Sequence, residues 1–378
     1  MPPTALTRAK PKILAVHRWL ALIAGLFLMS QGLTGSLIAF RYELNRALHP
    51  GVLTVAPRAG QPPLGDIIKA AETALPGARV ARVDYPHAAD DAYILRLNDT
   101  RTGALSIAAV DQSARVTRAK GIWSWPVEAA YQMHERMMAG EFGQRAVGFV
   151  GLSLVLLALS GLLHWWPLRG RFAKTLGQTV RPQLTRGRIT RELHRVMGVV
   201  YALYLMMMAA IGLTMAWEPW TKPLVGMVLP VSGEEAKVPK KTCAEPKAVD
   251  DDISVAQSRR PGQAIKSVRF QGNGRIVAVY FQSRMTYPPR ATDHVWLNAC
   301  SAKVLAVDDQ TRNGAGDNVF DWALPIHSGE WLGLPGRLLS WSAALALTAM
   351  AISGYILWIL RTLRRRNGRS ARPVMGGP

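Results

Sequence analysis

Four long apolar runs, arranged as two copies of one pattern, constrain this chain more than any other feature. The runs cover residues 19–40, 146–166, 196–217 and 338–360, and each meets the ~20 residues that a helix needs to cross a hydrocarbon layer of ~30 Å. His134 is followed by Ser160-Gly161 and Trp165; His327, 193 residues later, is followed at the same spacing by Ser353-Gly354 and Trp358. The first run is entered through His17-Arg18 and reaches Gly35 after 18 residues, and the third is entered through His194-Arg195 and reaches Gly212 after 18. The chain therefore reads as a span, a polar segment, a histidine and a second span, twice over.

Charge sets the expected direction of the spans. Residues 1–18, the loop 167–195 and the tail 361–378 together hold 18 basic residues against Glu192 alone, so +17 of the net +21 lies in these three stretches. The positive-inside rule then places both termini and the loop in the cytoplasm and the two long segments outside. Such a layout also accounts for the pI near 10.6 through topology and anionic headgroups, which argues against a nucleic-acid partner. A basic tail ahead of an apolar run resembles a signal peptide, but the run ends in Ala39-Phe40-Arg41-Tyr42-Glu43 without a small-x-small site, and it reads as an anchor that stays. Both cysteines, Cys243 and Cys300, fall in the second external segment, where an oxidising periplasm permits a disulfide; a bridge and two free thiols are the alternatives.

Each external segment divides into a lobe (41–125 and 218–320) and a short histidine-bearing stretch (126–145 and 321–337). In the first lobe Asp66 to Leu75 reads as an amphipathic helix, followed by strands at Val80 to Val83, Tyr93 to Leu97, Leu105 to Val110 and from Val116. The second repeats the order, with a helical turn at Ile253 to Gln257 and strands at Ile265 to Phe270, Ile276 to Phe281, Val295 to Asn298 and Val304 to Val307. The expected fold is an α-helical membrane protein: a four-helix transmembrane bundle with two small α+β periplasmic lobes made by internal duplication.

Ionisable side chains at membrane depth are expensive, and imidazole is a common iron ligand, so the matched pairs His134/His327 and His17/His194 read as axial ligands of two b-type haems, one near each face. Gly140 and Gly333 would let a flat macrocycle approach, and Arg145 and Arg337 could pair with its carboxylates. Arg18 and Arg195, next to the other two histidines, are candidates for the same duty or simple helix-end anchors. His164, near the same end of the second run, is a third imidazole where two are needed, and it remains an alternative ligand. His49, His87 and His294 are expected to be surface residues. Trp123, Trp125, Tyr131, Trp322 and Trp331 read mainly as an interfacial belt, and Met206 to Met208 as packing. There is no His-Glu-x-x-His, no Gly-x-Ser-x-Gly and no GxGxxG after a strand; Gln271 to Arg275 is a turn between strands. Electrons would therefore come from a quinol or a separate cytoplasmic reductase.

The His-Arg-Trp opening at 17–19, Leu193-His194-Arg195-Val196-Met197-Gly198, the Ser-Gly to Trp-Trp-Pro exit of the second run and Leu324-Pro325-Ile326-His327-Ser328-Gly329 resemble the PepSY-associated transmembrane proteins of bacteria over nearly the whole chain. Within that family the chain is most similar to the inner-membrane ferric-siderophore reductases of the FoxB type. The resemblance implies PepSY-like lobes, two b-type haems and periplasmic reduction of a ferric siderophore to release Fe(II). The rival expectations are a non-enzymatic membrane protein that binds a peptidase or another partner, and a haem oxidoreductase with a different acceptor.

Overall fold

The apolar runs fold as helices that extend beyond their apolar cores. In a computed structural model, which describes residues 5–58, 60–166, 174, 175, 177, 189–231, 247–285, 288 and 291–370, α1 covers Ala5–Ile38 and starts well before residue 19 because the basic entry segment continues the helix. Pro11 lies inside it, in the second turn, where the helix gives up one main-chain bond. After α1 come α2 (Arg41–Leu48), α3 (Leu64–Ala74), α4 (Pro126–Arg136), α5 (Gly140–Trp165), α6 (Ile189–Ala216), α7 (Glu218–Gly226), α8 (Val249–Arg259), α9 (Ala315–Ser328) and α10 (Gly333–Ser370). Among the described residues four helices are long and apolar enough to cross a membrane, with spans Arg8–Ile38, Gly140–Trp165, Ile189–Ala216 and Glu330–Arg364. The chain divides into a helical unit built on these four and a unit built on a sheet. Most basic residues of the 167–188 loop, together with Arg372 and Cys243, lie outside the described residues.

In the helical unit the four long helices pack in the cyclic order α1, α5, α6, α10, and small residues set the closest approaches. A Cβ on Gly32 of α1 would come within 2.7 Å of the Ala344 carbonyl of α10, and one on Gly151 of α5 within 3.3 Å of the Ala209 carbonyl of α6. Ala344 lies 193 residues after Gly151, and Ala209 lies 177 after Gly32, which are the two offsets of the repeat. The α1–α10 and α5–α6 contacts are thus one interface made twice, with glycine on opposite partners.

In the other unit β1 (Ala78–Asp84), β2 (Tyr93–Asp99), β3 (Leu105–Val110) and β4 (Val116–Gly121) form one antiparallel meander, and β5 (Ile265–Gln271), β6 (Ile276–Gln282), β7 (Thr292–Asn298) and β8 (Val304–Asp308) form its copy. The two expected lobes share a single sheet. Its order is β4-β3-β2-β1-β5-β6-β7-β8, and β1 pairs with β5 around Val83 and Val268. The matching hairpins end alike: the Asp111 carboxylate accepts from the amides of Ser113 and Arg115, the Asn298 side chain accepts from the amide of Cys300, and Ala114 and Ala302 take positive φ. Helices α3 and α8 cover one face, burying Leu64, Ile67, Ala71 and Ala256 against Val83, Leu95, Leu97, Val268, Val279 and Phe281. Asp250 at the start of α8 accepts from the first free amides of α3, Leu64 and Gly65. Cys300 is disulfide-bonded.

Two residues expected at the surface belong to this unit's interior. Trp125 is almost fully buried and the His49 ring packs on it at 4.8 Å; Leu48 ends α2, and His49 caps it with Nδ1 on the Asn45 carbonyl. Nearby, Glu128 is buried and accepts two bonds from Arg41 and one each from Asn45 and Arg96. Burial alone would raise its carboxyl, but the Arg41 and Arg96 guanidiniums outweigh burial and hold it down at about 2. A depressed carboxyl stabilises the fold above its ordinary value of 4.5 and loses that contribution as pH falls toward 2. Glu128→Ala, which removes the carboxylate that Arg41 grips with two bonds and one of the two carboxylates on Arg96, should therefore cost roughly 3–5 kcal/mol at pH 7. The gap in melting temperature between it and the wild type should narrow steadily from pH 5 to pH 2; a gap independent of pH would contradict this account.

Candidate functional site

The four matched histidines are each held by the same three-part arrangement. His17 on α1 directs Nδ1 at Ser160 Oγ of α5 at 3.0 Å, and His194 on α6 directs Nδ1 at Ser353 Oγ of α10 at 2.8 Å. Each serine gives its own proton to the carbonyl three residues back, Leu157 or Met350. The hydroxyl can then only accept, so each imidazole carries its proton on Nδ1 and presents Nε2 as a lone pair. The adjacent glycine makes room: a Cβ on Gly161 would lie 3.4 Å from His17 Cε1, and one on Gly354 3.9 Å from His194 Cε1.

His134 and His327 follow the same logic through backbone carbonyls. His134, near the end of α4, donates from Nδ1 to the Gln31 carbonyl of α1 at 3.2 Å, with Thr34 Oγ1 also at 3.2 Å. His327, near the end of α9, donates from Nδ1 to the Met208 carbonyl of α6 at 3.0 Å. Gln31 and Met208 are separated by the 177-residue repeat. Gly35 and Gly212 lie against the two rings, where a Cβ would come to 3.1 Å from Cε1 in each case. Nε2 is again the nitrogen left over.

The spacing suits a metal between the second pair. The His134 and His327 ring centroids are 6.2 Å apart with planes at 56°, and two metal–imidazole bonds of about 2 Å with a ring half-width of about 1 Å on each side add to about 6 Å. One buried donor near it is unanswered, since the Gln31 side-chain nitrogen is enclosed in the bundle with no hydrogen-bond partner. The donor set, the separation and the unsatisfied amide therefore fit a bis-histidine haem with a polar edge. At the other pair, His17 lies within electrostatic reach of both His194 and His164, and α1 and α6 stand at opposite corners of the helix ring. The 18 residues from His17 to Gly35 correspond to about 27 Å of helix rise, so the two pairs occupy levels near the two ends of the spans.

The remaining sequence candidates fall elsewhere. His164 is exposed on α5, one turn beyond Ser160. Arg145 pairs with Glu141 at 3.6 Å on an exposed face, Arg195 pairs with Glu192, Arg18 is exposed, and Arg337 donates to the Ala39 carbonyl at the end of α1. A Cβ on Gly140 or Gly333 would meet nothing within 4 Å, and the two glycines serve instead as positive-φ starts of α5 and α10. The Ser-Gly markers were visible as spacing, whereas the roles of Gln31, Thr34 and the Met208 carbonyl carry no sequence signal.

A family model described as the PepSY-associated TM region matches residues 14–361. Among curated proteins no match is found.

Removing the Ser353 hydroxyl would take away the acceptor 2.8 Å from His194 Nδ1 inside the bundle. Ser353→Ala should cost roughly 1–3 kcal/mol and lower the melting temperature of detergent-solubilised protein, whereas Ser342→Ala, whose hydroxyl bonds only its own helix at the Leu339 carbonyl, should change it little.

Proposed function

We propose that this chain, which belongs to the PepSY-associated TM family, is a two-haem electron-transfer protein that reduces a ferric siderophore at the periplasmic face of the inner membrane. The single observation that carries the reading is the common state of four histidines: Nδ1 committed to a protein acceptor, Nε2 unanswered, a glycine flush against the ring, and a 6.2 Å separation at one pair. His134 and His327 would hold one haem, and His17 and His194 the other. A bis-histidine b-type haem supplies reversible one-electron transfer without an open coordination site.

The chain's own residues do the rest. Serine and carbonyl acceptors fix the tautomer and the ring orientation, which raises the basicity of Nε2. The buried Gln31 amide offers a hydrogen bond at the edge of the outer site. Four packed helices exclude water, and two levels about 27 Å apart along α1 divide one crossing into shorter steps. The acceptor's iron gains one electron and passes from Fe(III) to Fe(II), which binds hard oxygen donors less tightly and leaves the chelate. Quinol or a cytoplasmic reductase would supply that electron, because nothing in this sequence marks a nucleotide site. The cationic stretches support cytoplasmic termini.

Purified protein should carry two haems per chain with sharp reduced-minus-oxidised bands. His134→Ala or His327→Ala should remove about half of that haem, His17→Ala or His194→Ala the other half, and His164→Leu none. Full haem in both His134→Ala and His327→Ala would overturn the outer assignment. Loss of the inner haem in His164→Leu but not in His17→Ala would move the ligand role to His164. Reporter fusions after Arg366 should be cytoplasmic and fusions at Gly60 or Gly262 periplasmic; the reverse pattern would invert the proposed direction.

A further inference from the structure

One face of the sheet carries a charge imbalance that the histidine sites do not use. Val83, Leu95, Val268 and Val279 belong to the core beneath α3 and α8, so strand alternation turns their neighbours Arg82, Arg96, Arg269 and Tyr280 to the opposite face. Arg82 and Arg269 are direct partners across the β1–β5 seam, a position where like charges repel. Asp84 answers Arg82 at 2.6 Å and also Arg96, and Glu128 is shared by Arg96 and Arg41. No carboxylate answers Arg269 among the described residues. Its guanidinium carbon lies 4.2 Å from the centre of the Tyr280 ring, and its Nε is buried without a hydrogen-bond partner.

The imbalance falls at matched positions of the two copies. With Val83 opposite Val268 at the centre of the seam, the repeat position of Asp84 is Arg269 and that of Arg82 is Ser267. The second copy thus holds a guanidinium where the first holds a carboxylate, and that guanidinium stands beside an arginine of the first. The Arg82 side chain keeps 33% of its surface in solvent, so the cluster is open to a ligand.

We propose that this seam binds a polycarboxylate anion of the citrate kind, with Arg269 facing one carboxylate and the Arg82 Nη1 that Asp84 leaves open facing another, and so selects anionic carboxylate chelates of Fe(III) as acceptors. Guanidinium matches carboxylate with two parallel N–H bonds, and the Tyr280 ring holds the Arg269 plane in place. The selection of the acceptor rests on the reductase reading above; the binding does not, because it involves no haem.

The test uses the full chain in detergent and gallium(III) citrate, a redox-inert stand-in for the ferric complex, titrated calorimetrically. Wild-type protein should bind it; Arg269→Gln should weaken binding at least tenfold with unchanged haem absorption, and Arg269→Lys, which keeps the charge without the fork, should fall between. If Arg269→Gln does not fold, Arg82→Gln on the facing strand serves with the same expectation. Absence of binding by the wild type, or equal binding by the folded Gln variant, overturns the site. Displacement by an equal concentration of inorganic phosphate makes the seam a general oxyanion site and overturns the carboxylate assignment. Protein that purifies without haem would sink the reductase reading, and its binding of gallium citrate would leave this site standing.

Discussion

The hydrogen bond at Nδ1 is the constraint on which the arrangement of the helical unit depends. Inside a bundle of apolar helices an imidazole N–H has few partners, and here the partners are oxygens that cannot themselves donate: a serine hydroxyl already bonded to its own helix, or a backbone carbonyl. The proton is therefore fixed on one nitrogen by the fold itself. The cost of orienting each ring is met during folding, and Nε2 is left as a positioned lone pair.

That constraint explains why the small residues stand where they do. A ring can reach an acceptor on a neighbouring helix only if that helix offers no side chain at the point of contact, which is the service of Gly35, Gly161, Gly212 and Gly354. The same economy brings α1 onto α10 at Gly32 and α5 onto α6 at Gly151. Dispersion and close backbone approach hold such a bundle together, because lipid-facing apolar surface gains nothing from burial.

Much of this was legible in the sequence, and what was not is instructive. Alternation located β3 at Leu105–Val110 and fixed the other strands to within a few residues, since period-two burial is a local signal. The edge-to-edge joining of β1 and β5 is not local: nothing within Ala78–Asp84 names a partner almost two hundred residues away. Ser160-Gly161 and Ser353-Gly354 stood out as markers of duplication, but their work on His17 and His194 is a matter of geometry between helices. His49 and Trp125 misled because each stands beside a proline in sequence outside the spans, and nothing local marks the ring-on-ring contact that folds them inward. Arg145 sat where a cofactor partner was wanted, yet Glu141 one turn away competes for it.

The symmetry of the histidine pairs has a consequence for how such a molecule could arise. Each copy supplies one member of each pair, His17 and His134 from the first and His194 and His327 from the second, while the serine or glycine that positions each ring comes from the same copy. A chain of half the length would own every orienting contact and not one complete site. It would also bear the bare edge of β1, whose natural mate is the same edge of a sister molecule. Two such sisters would complete one another's histidine pairs and pair their edge strands, but they would have to be identical at the seam; a single chain carries no such demand, and a position that holds an acid in one half holds a base in the other.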